Sequence, residues 1–330
     1  MKKLILSLFT LLLLVGSTTA QDDPVKMVKQ AKKLLNAFNL DQSKGDKLSE
    51  AKGIIDKVLM TDAMTSNPMA NQLQGEIYSA MMTEQAKQKI LDPNFKFTDL
   101  TLGITAVNAL KSALNGAEKK SGKKDALNTM IEVASSLNQF GLDAFNGKDY
   151  MNAFKNFKAV LDVQDLLKAN GMKPTLTEGE QMNDQMYLTG FSALNAGDIK
   201  AATPYFETLV SNGFEDPKVY ESLYKIKADQ GNKEEALAML NKGREKYPDD
   251  TGLLFTEINH YLQAGEMDAL LGKLTTAMEK EPDNVTVITT LGNVHDNLYQ
   301  RETAAGNIEK AEGHFADALK FYNIASDKDP

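Results

Sequence analysis

Gly197-Asp198-Ile199-Lys200-Ala201-Ala202, Gly231-Asn232-Lys233-Glu234-Glu235-Ala236 and Gly265-Glu266-Met267-Asp268-Ala269-Leu270 follow one another at steps of 34 residues, and Pro248 and Pro282 repeat the same step. Between these markers the apolar residues recur every three or four positions. Tyr220, Leu223 and Tyr224 lie on one stripe, and Ala236, Leu240 and Gly243 on the next. Leu254, Ile258 and Tyr261 precede Leu270, Leu274 and Ala277, while Tyr187, Gly190 and Ala193 precede Ala202, Phe206 and Leu209. Such spacing puts each stripe on one face of a helix, so every step predicts two amphipathic helices joined by a turn. Small residues in the stripes let two backbones approach closely. A proline after the second helix stops it and resets the chain.

The same register extends outward. Leu137, Gly141 and Ala144, then Ala153, Phe157 and Val160, make a third pair, followed by a long join in which Asn170-Gly171 stops a helix. Thr177 with Glu180 is expected as the capping box of the next start. The last pair carries Ile288, Leu291, Gly292 and His295, then Ala318, Tyr322 and Ala325, with 14 extra residues near 297–310. Toward the N-terminus the pattern is looser. Leu34, Leu35 and Phe38 with Ala51, Ile55 and Val58 suggest one pair, and Leu73, Gly75 and Tyr78 with Ala106, Leu110 and Ala113 another. Leu91-Asp92-Pro93-Asn94 interrupts the latter, and no sheet is expected beyond at most a short hairpin near 95–102.

A 34-residue helix–turn–helix period with these small and aromatic positions resembles the tetratricopeptide repeat family. The resemblance implies an all-α, right-handed superhelical solenoid of about seven antiparallel helix pairs. Its expected divisions are looser helices over 21–120, a pair with a long connection over 121–180, and a regular array over 181–330. In this family the first helices of successive pairs line a groove. The places so implied here are Phe145, Asn146, Tyr187, Phe191, Asn195, Lys225, Phe255, Asn259, Asn293 and Asn297. Asparagine amides can serve both donor and acceptor of an extended backbone, and aromatics beside them would supply anchors. The basic clamp that some members use for a terminal carboxylate is not matched. Lys218 and Lys225 stand beside Glu221 and Asp229, which offset them.

The first 20 residues form a separate segment. Lys2 and Lys3 precede an apolar run from Leu4 to Val15, and Gly16-Ser17-Thr18-Thr19-Ala20 supplies small residues for cleavage before Gln21. That three-part plan is a secretory signal peptide, so export to the periplasm or beyond a bacterial cell is expected. The formal net charge is −8 with the leader and −10 without its two lysines, which repels nucleic-acid phosphate. Cysteine is absent, which excludes disulfides, thiolate metal sites, a catalytic thiol and a lipid-bearing cysteine.

No reaction centre is legible. His260, His295 and His314 lack zinc-site spacing, and His295 takes a place the family fills with a core tyrosine. Gly116 to Lys123 has the wrong spacing for a phosphate loop and reads as a lysine-rich turn between helices. Neither cofactor nor metal is expected. The function implied is a scaffold that binds an extended segment or helix of an envelope protein, without catalysis and without a membrane-spanning segment. The alternative is a solute- or glycan-binding repeat protein, against which the absence of tryptophan counts.

Overall fold

The computed structural model describes residues 23–328, so the leader and its cleavage point lie outside the described residues. The described residues form 15 helices and no strand. Their contacts divide the chain into two compact units. One runs to Phe140 and includes Ala169–Gly171; the other comprises Gly141–Lys168 and Met172 onward.

The first unit contains α1 (Pro24–Leu40), α2 (Gly45–Leu59), the single turn α3 (Asp62–Thr65), α4 (Pro68–Leu91), α5 (Leu102–Gly116) and α6 (Lys120–Asn146) as far as Phe140. Pro24 and Pro68 open their helices, where a missing N–H costs nothing. Asn67 Oδ1 caps α4 by accepting from the amides of Met69 and Ala70, both at 3.0 Å. Leu35, Phe38, Ile55, Val58, Leu73, Ile77, Ala106 and Leu110 are buried, so α1/α2 and α4/α5 are the two looser pairs expected from spacing. Asp56 of α2 ties to α4 by accepting from Gln74 Nε2 and the Tyr78 hydroxyl, each at 2.9 Å.

No strand forms at 95–102, the one place where the sequence allowed a short hairpin. Phe97 instead buries itself against Phe140, with ring centroids 3.9 Å apart. The surrounding backbone bonds to α4 side chains: Lys89 Nζ donates to the Phe95 carbonyl at 2.6 Å, and the Thr98 amide to Gln85 Oε1 at 2.8 Å. A segment whose polar backbone is satisfied by side chains has no need of a partner strand.

The second unit contains the end of α6, then α7 (Tyr150–Ala169), α8 (Glu180–Asn195), α9 (Ile199–Ser211), α10 (Pro217–Asp229), α11 (Lys233–Lys246), α12 (Thr251–Ala264), α13 (Met267–Lys280), α14 (Val285–Ala304) and α15 (Ile308–Lys328). Pro217, Thr251 and Val285 open α10, α12 and α14 at steps of 34, as do Ile199, Lys233 and Met267 for α9, α11 and α13. Gly197, Gly231 and Gly265 turn the chain between the helices of a pair with φ of 80°, 80° and 72°, a region glycine enters without strain. From α8 to α15 the helices pack chiefly on their pair partners and on the next pair, the nearest-neighbour plan of a stacked repeat. The extra residues near 297–310 do not loop out. They lengthen both α14 and α15, which have 20 and 21 residues where α12 and α13 have 14.

Two local details differ from the expected pattern. At the start of α8 the cap residue is Gly179, and Gln181, not Glu180, reaches back to the Thr177 amide at 2.9 Å. In α12, Glu257 occupies the place held one step away by Leu223 and Leu291, yet it is as buried as they are. Arg244 Nε meets its carboxylate at 3.3 Å and Lys273 Nζ at 2.7 Å. The Arg244 guanidinium also donates to the carbonyls of Tyr247, Pro248 and Asp250, so the turn between α11 and α12 is stapled by the same side chain.

Candidate functional site

In the first unit, α1, α4 and α6 lie side by side and leave a groove. Its apolar end, a cavity of about 760 Å³, is walled by Val28, Pro68, Met69, Leu73 and Ala113, and rimmed by the α5–α6 turn at Gly116 to Lys119. That turn is the lysine-rich stretch set aside above as a failed phosphate loop. The polar end, about 450 Å³, is lined by Asn39, Gln42, Ser79, Thr83, Glu84, Lys87, Thr129 and Glu132. Lys32 and Glu76 line both ends and pair across the groove at 2.5 Å, so one ion pair marks where apolar wall gives way to polar wall.

Gln72 stands beside that pair. Its amide nitrogen donates to Glu76 Oε1 at 3.1 Å and to Thr129 Oγ1 at 3.3 Å. Its carbonyl oxygen is buried and has no hydrogen-bond partner. Leaving such an acceptor unsatisfied costs about 1–3 kcal/mol. Met69 projects from the apolar rim with 76% of its surface exposed.

None of these residues belongs to the set inferred from family positions, which begins at Phe145. The signal was present: Gln72, Glu76, Ser79, Thr83 and Lys87 recur at three- and four-residue spacing, a polar stripe on a helix that also carries Leu73, Ile77 and Tyr78. What was missing was knowledge that the stripe faces α1 and α6 and not open water.

In the second unit the inferred residues are partly brought together. Phe145, Phe191 and Tyr187 form a continuous row of rings with Tyr150 and Phe214. Centroids are 5.3 Å apart for Phe145–Tyr150, 6.0 Å for Phe145–Phe191, 5.8 Å for Tyr187–Phe191 and 5.7 Å for Tyr187–Phe214. All five are half-buried, and this distance range gives aromatic pairs about 0.5–1.5 kcal/mol beyond their buried area. Burial, with the carboxylates of Asp216 and Glu221 nearby, pushes the Tyr187 hydroxyl up to about 12, so it remains a neutral donor at physiological pH. Burial and then Asp250 raise the Glu221 carboxyl above its ordinary range.

The remaining inferred residues stand apart from the row. Asn146 and Asn195 are exposed at the ends of α6 and α8, and Asn195 Nδ2 donates to the carbonyl of Phe191 at 2.8 Å. Lys225 and Asn259 are exposed on α10 and α12. Phe255 packs against the core that Leu254, Ile258 and Leu291 share. Asn297 donates to the Asn293 carbonyl at 2.8 Å, and the Asn293 side chain accepts from the Tyr322 hydroxyl at 2.9 Å.

The histidines are occupied internally. Tyr224 hydroxyl and His260 Nδ1 are 3.2 Å apart. His295 and His314 face each other with Nδ1 atoms 3.1 Å apart, an arrangement that requires one ring to donate and the other to accept. Burial lowers the His295 pKa, partly opposed by Asp317. Among the described residues no three His, Asp or Glu side chains converge to hold a metal ion, and no helix is long and apolar enough to cross a membrane.

No protein-family model matches the chain, and no curated protein matches it. Among solved structures, pilF of Pseudomonas aeruginosa is 14% identical, covers 78% of this chain and 94% of its own, and superposes with a TM-score of 0.34. The TPR domain of P58(IPK) is 16% identical over 93% of this chain and 94% of its own, with a TM-score of 0.30. A tetratricopeptide repeat protein from Parabacteroides merdae is 14% identical over 78% and 96%, at 0.34. Superpositions this loose carry nothing about what the chain binds. The helix starts themselves, stepping by 34 from α9 to α14 with buried small residues at matching places, make the chain a tetratricopeptide-like helical repeat.

Proposed function

We propose that this chain is an exported, non-catalytic scaffold that seats an extended segment or helix of an envelope protein in the groove over α1, α4 and α6. The observation that carries the reading is the groove's make-up. An apolar wall and a charged wall lie along a single path, joined at the Lys32–Glu76 pair. An apolar side chain of the ligand would fill the end near Met69, and its polar groups would face Glu84, Lys87 and Glu132 at the other end. The leader-like first 20 residues supply the reason for placing the partner in the cell envelope. The aromatic row around Tyr187 and Phe191 offers a second surface, in the second unit, for the same or another partner.

The test uses a partner captured from envelope extract, with affinity measured for the full chain and its variants. Met69 and Glu132 are exposed on the groove's two ends, so Met69→Glu and Glu132→Lys leave the core untouched. Each is expected to weaken binding by about tenfold or more with melting temperature unchanged. Tyr187→Ala with Phe191→Ala is the comparison in the second unit, scored per folded molecule. Affinity that falls only with the aromatic pair would move the site to the second unit. Affinity unchanged by both groove variants would overturn the groove as the seat.

A further inference from the structure

The outer face of α15 carries a surface that the groove reading does not use. Its inner face, Ala311, Ala318, Phe321 and Ala325, is buried. On the opposite side Glu312, Gly313, Ala316 and Lys320 are exposed, flanked by Phe315 and Leu319, which are 48% and 47% exposed. Large apolar side chains at half exposure, beside two small residues on a 21-residue helix, form an apolar strip that one more helix could cover.

The order of residues along this face says which helix fits. Antiparallel helices related by a two-fold axis at Ala316 bring together positions equally far on either side of it. Glu312 then meets Lys320 of the other copy, and Lys320 meets its Glu312. The two Ala316 side chains meet at the axis, where their small size lets the helices approach closely. Glu312 makes no ion pair among the described residues, and the exposed Lys320 ammonium lies over the Phe321 ring, 5.5 Å from its centroid, a contact it can leave for a carboxylate. Acid opposite base, generated twice by one axis with a small residue at its centre, is what a self-complementary interface requires.

We infer that the exposed face of α15 docks a second copy of this chain, antiparallel, with the two-fold axis at Ala316. One helix face per copy is a small interface, so the association is weak and concentration-dependent over about 1–500 µM.

Sedimentation of the full chain over that range is expected to show monomer passing to dimer. Glu312→Lys sets lysine against lysine at both symmetric contacts and is expected to weaken the dimer by about tenfold. Lys320→Glu sets acid against acid with the same result. The double reversal restores both pairs and is expected to return affinity to within about threefold of the starting protein, which a structural defect would not do. Because the chain lacks cysteine, Ala316→Cys adds a single thiol at the axis, which is expected to cross-link two copies under mild oxidation. Glu245→Cys, exposed on α11, is expected to remain monomeric under the same conditions. A monomer at every concentration, a dimer indifferent to both single reversals, or equal cross-linking of the two cysteine variants would each overturn the inference.

Discussion

Lys148 is the one described residue other than glycine with a positive φ, at 62°. It sits in the turn between α6 and α7, just before Asp149, as Gly197 sits before Asp198 between α8 and α9. A left-handed conformation costs a residue with a Cβ roughly 1–2 kcal/mol, and glycine's greater freedom when unfolded returns about 0.5–1 kcal/mol of that. Lys148→Gly is therefore expected to stabilise the second unit by about 0.5–1 kcal/mol, seen as a higher denaturation midpoint at unchanged slope. A lower midpoint would mean that the lysine side chain contributes more than its backbone costs. The turn at 147–149 was legible from sequence, since the flanking stripes require a break there. The strain was not, because nothing local distinguishes a lysine in the left-handed region from one in an ordinary loop.

Among the elements, the α11–α12–α13 cluster departs most from the repeat. Glu257, Arg244 and Lys273 replace the apolar residues found one step away, Leu223 or Leu291, Val210 or Met278, and Met239. Taking two charges out of water is expensive, and a mutually paired buried set commonly does no better than hydrocarbon of the same size. Glu257→Leu alone leaves Arg244, whose side chain is only 16% exposed, without its carboxylate. It is expected to cost about 3 kcal/mol, lessened because Lys273 is partly in water and Arg244 keeps its three carbonyls. Glu257→Leu with Arg244→Met and Lys273→Met restores the sibling pattern and is expected to be neutral or more stable, by thermal denaturation. A triple variant less stable than the single would show that the ion cluster contributes more than its desolvation costs. The spacing that placed Glu257 on a core stripe was readable from sequence. Its burial, and the two cations that make the burial tolerable, depend on residues 13 and 16 positions away on other helices.

Within each unit, contacts run mainly from a helix to its pair partner and to the next pair. Stability in such an array is a sum of local terms, so damage should remain local. Leu274 is fully buried in the core shared by α12, α13 and α14. Leu274→Ala is expected to remove about 2–5 kcal/mol. Hydrogen exchange should show lost protection in α12–α14, with α1, α2, α4 and α5 unchanged. An equal loss in every helix would mean that the chain unfolds as one cooperative body.

By itself the sequence determined the helix pairs, their 34-residue step and their turns, since each rests on residues three or four apart or on a single glycine or proline. Those are local interactions, and local chemistry carries them. It also determined what chemistry is absent, because a chain without cysteine cannot make a thiolate site in any fold. The tertiary structure alone decided which polar stripes face a groove and which face water. Lys32 meets Glu76 across 44 residues and Gln72 meets Thr129 across 57, and no periodicity encodes a meeting at that separation. Family positions pointed to the second unit, where the aromatic row proved half-buried in its own packing. The open groove lies in the first unit, where the repeat pattern is loosest. Burial is a property of surfaces brought together, so a stripe read from one helix cannot say what the neighbouring helices leave exposed.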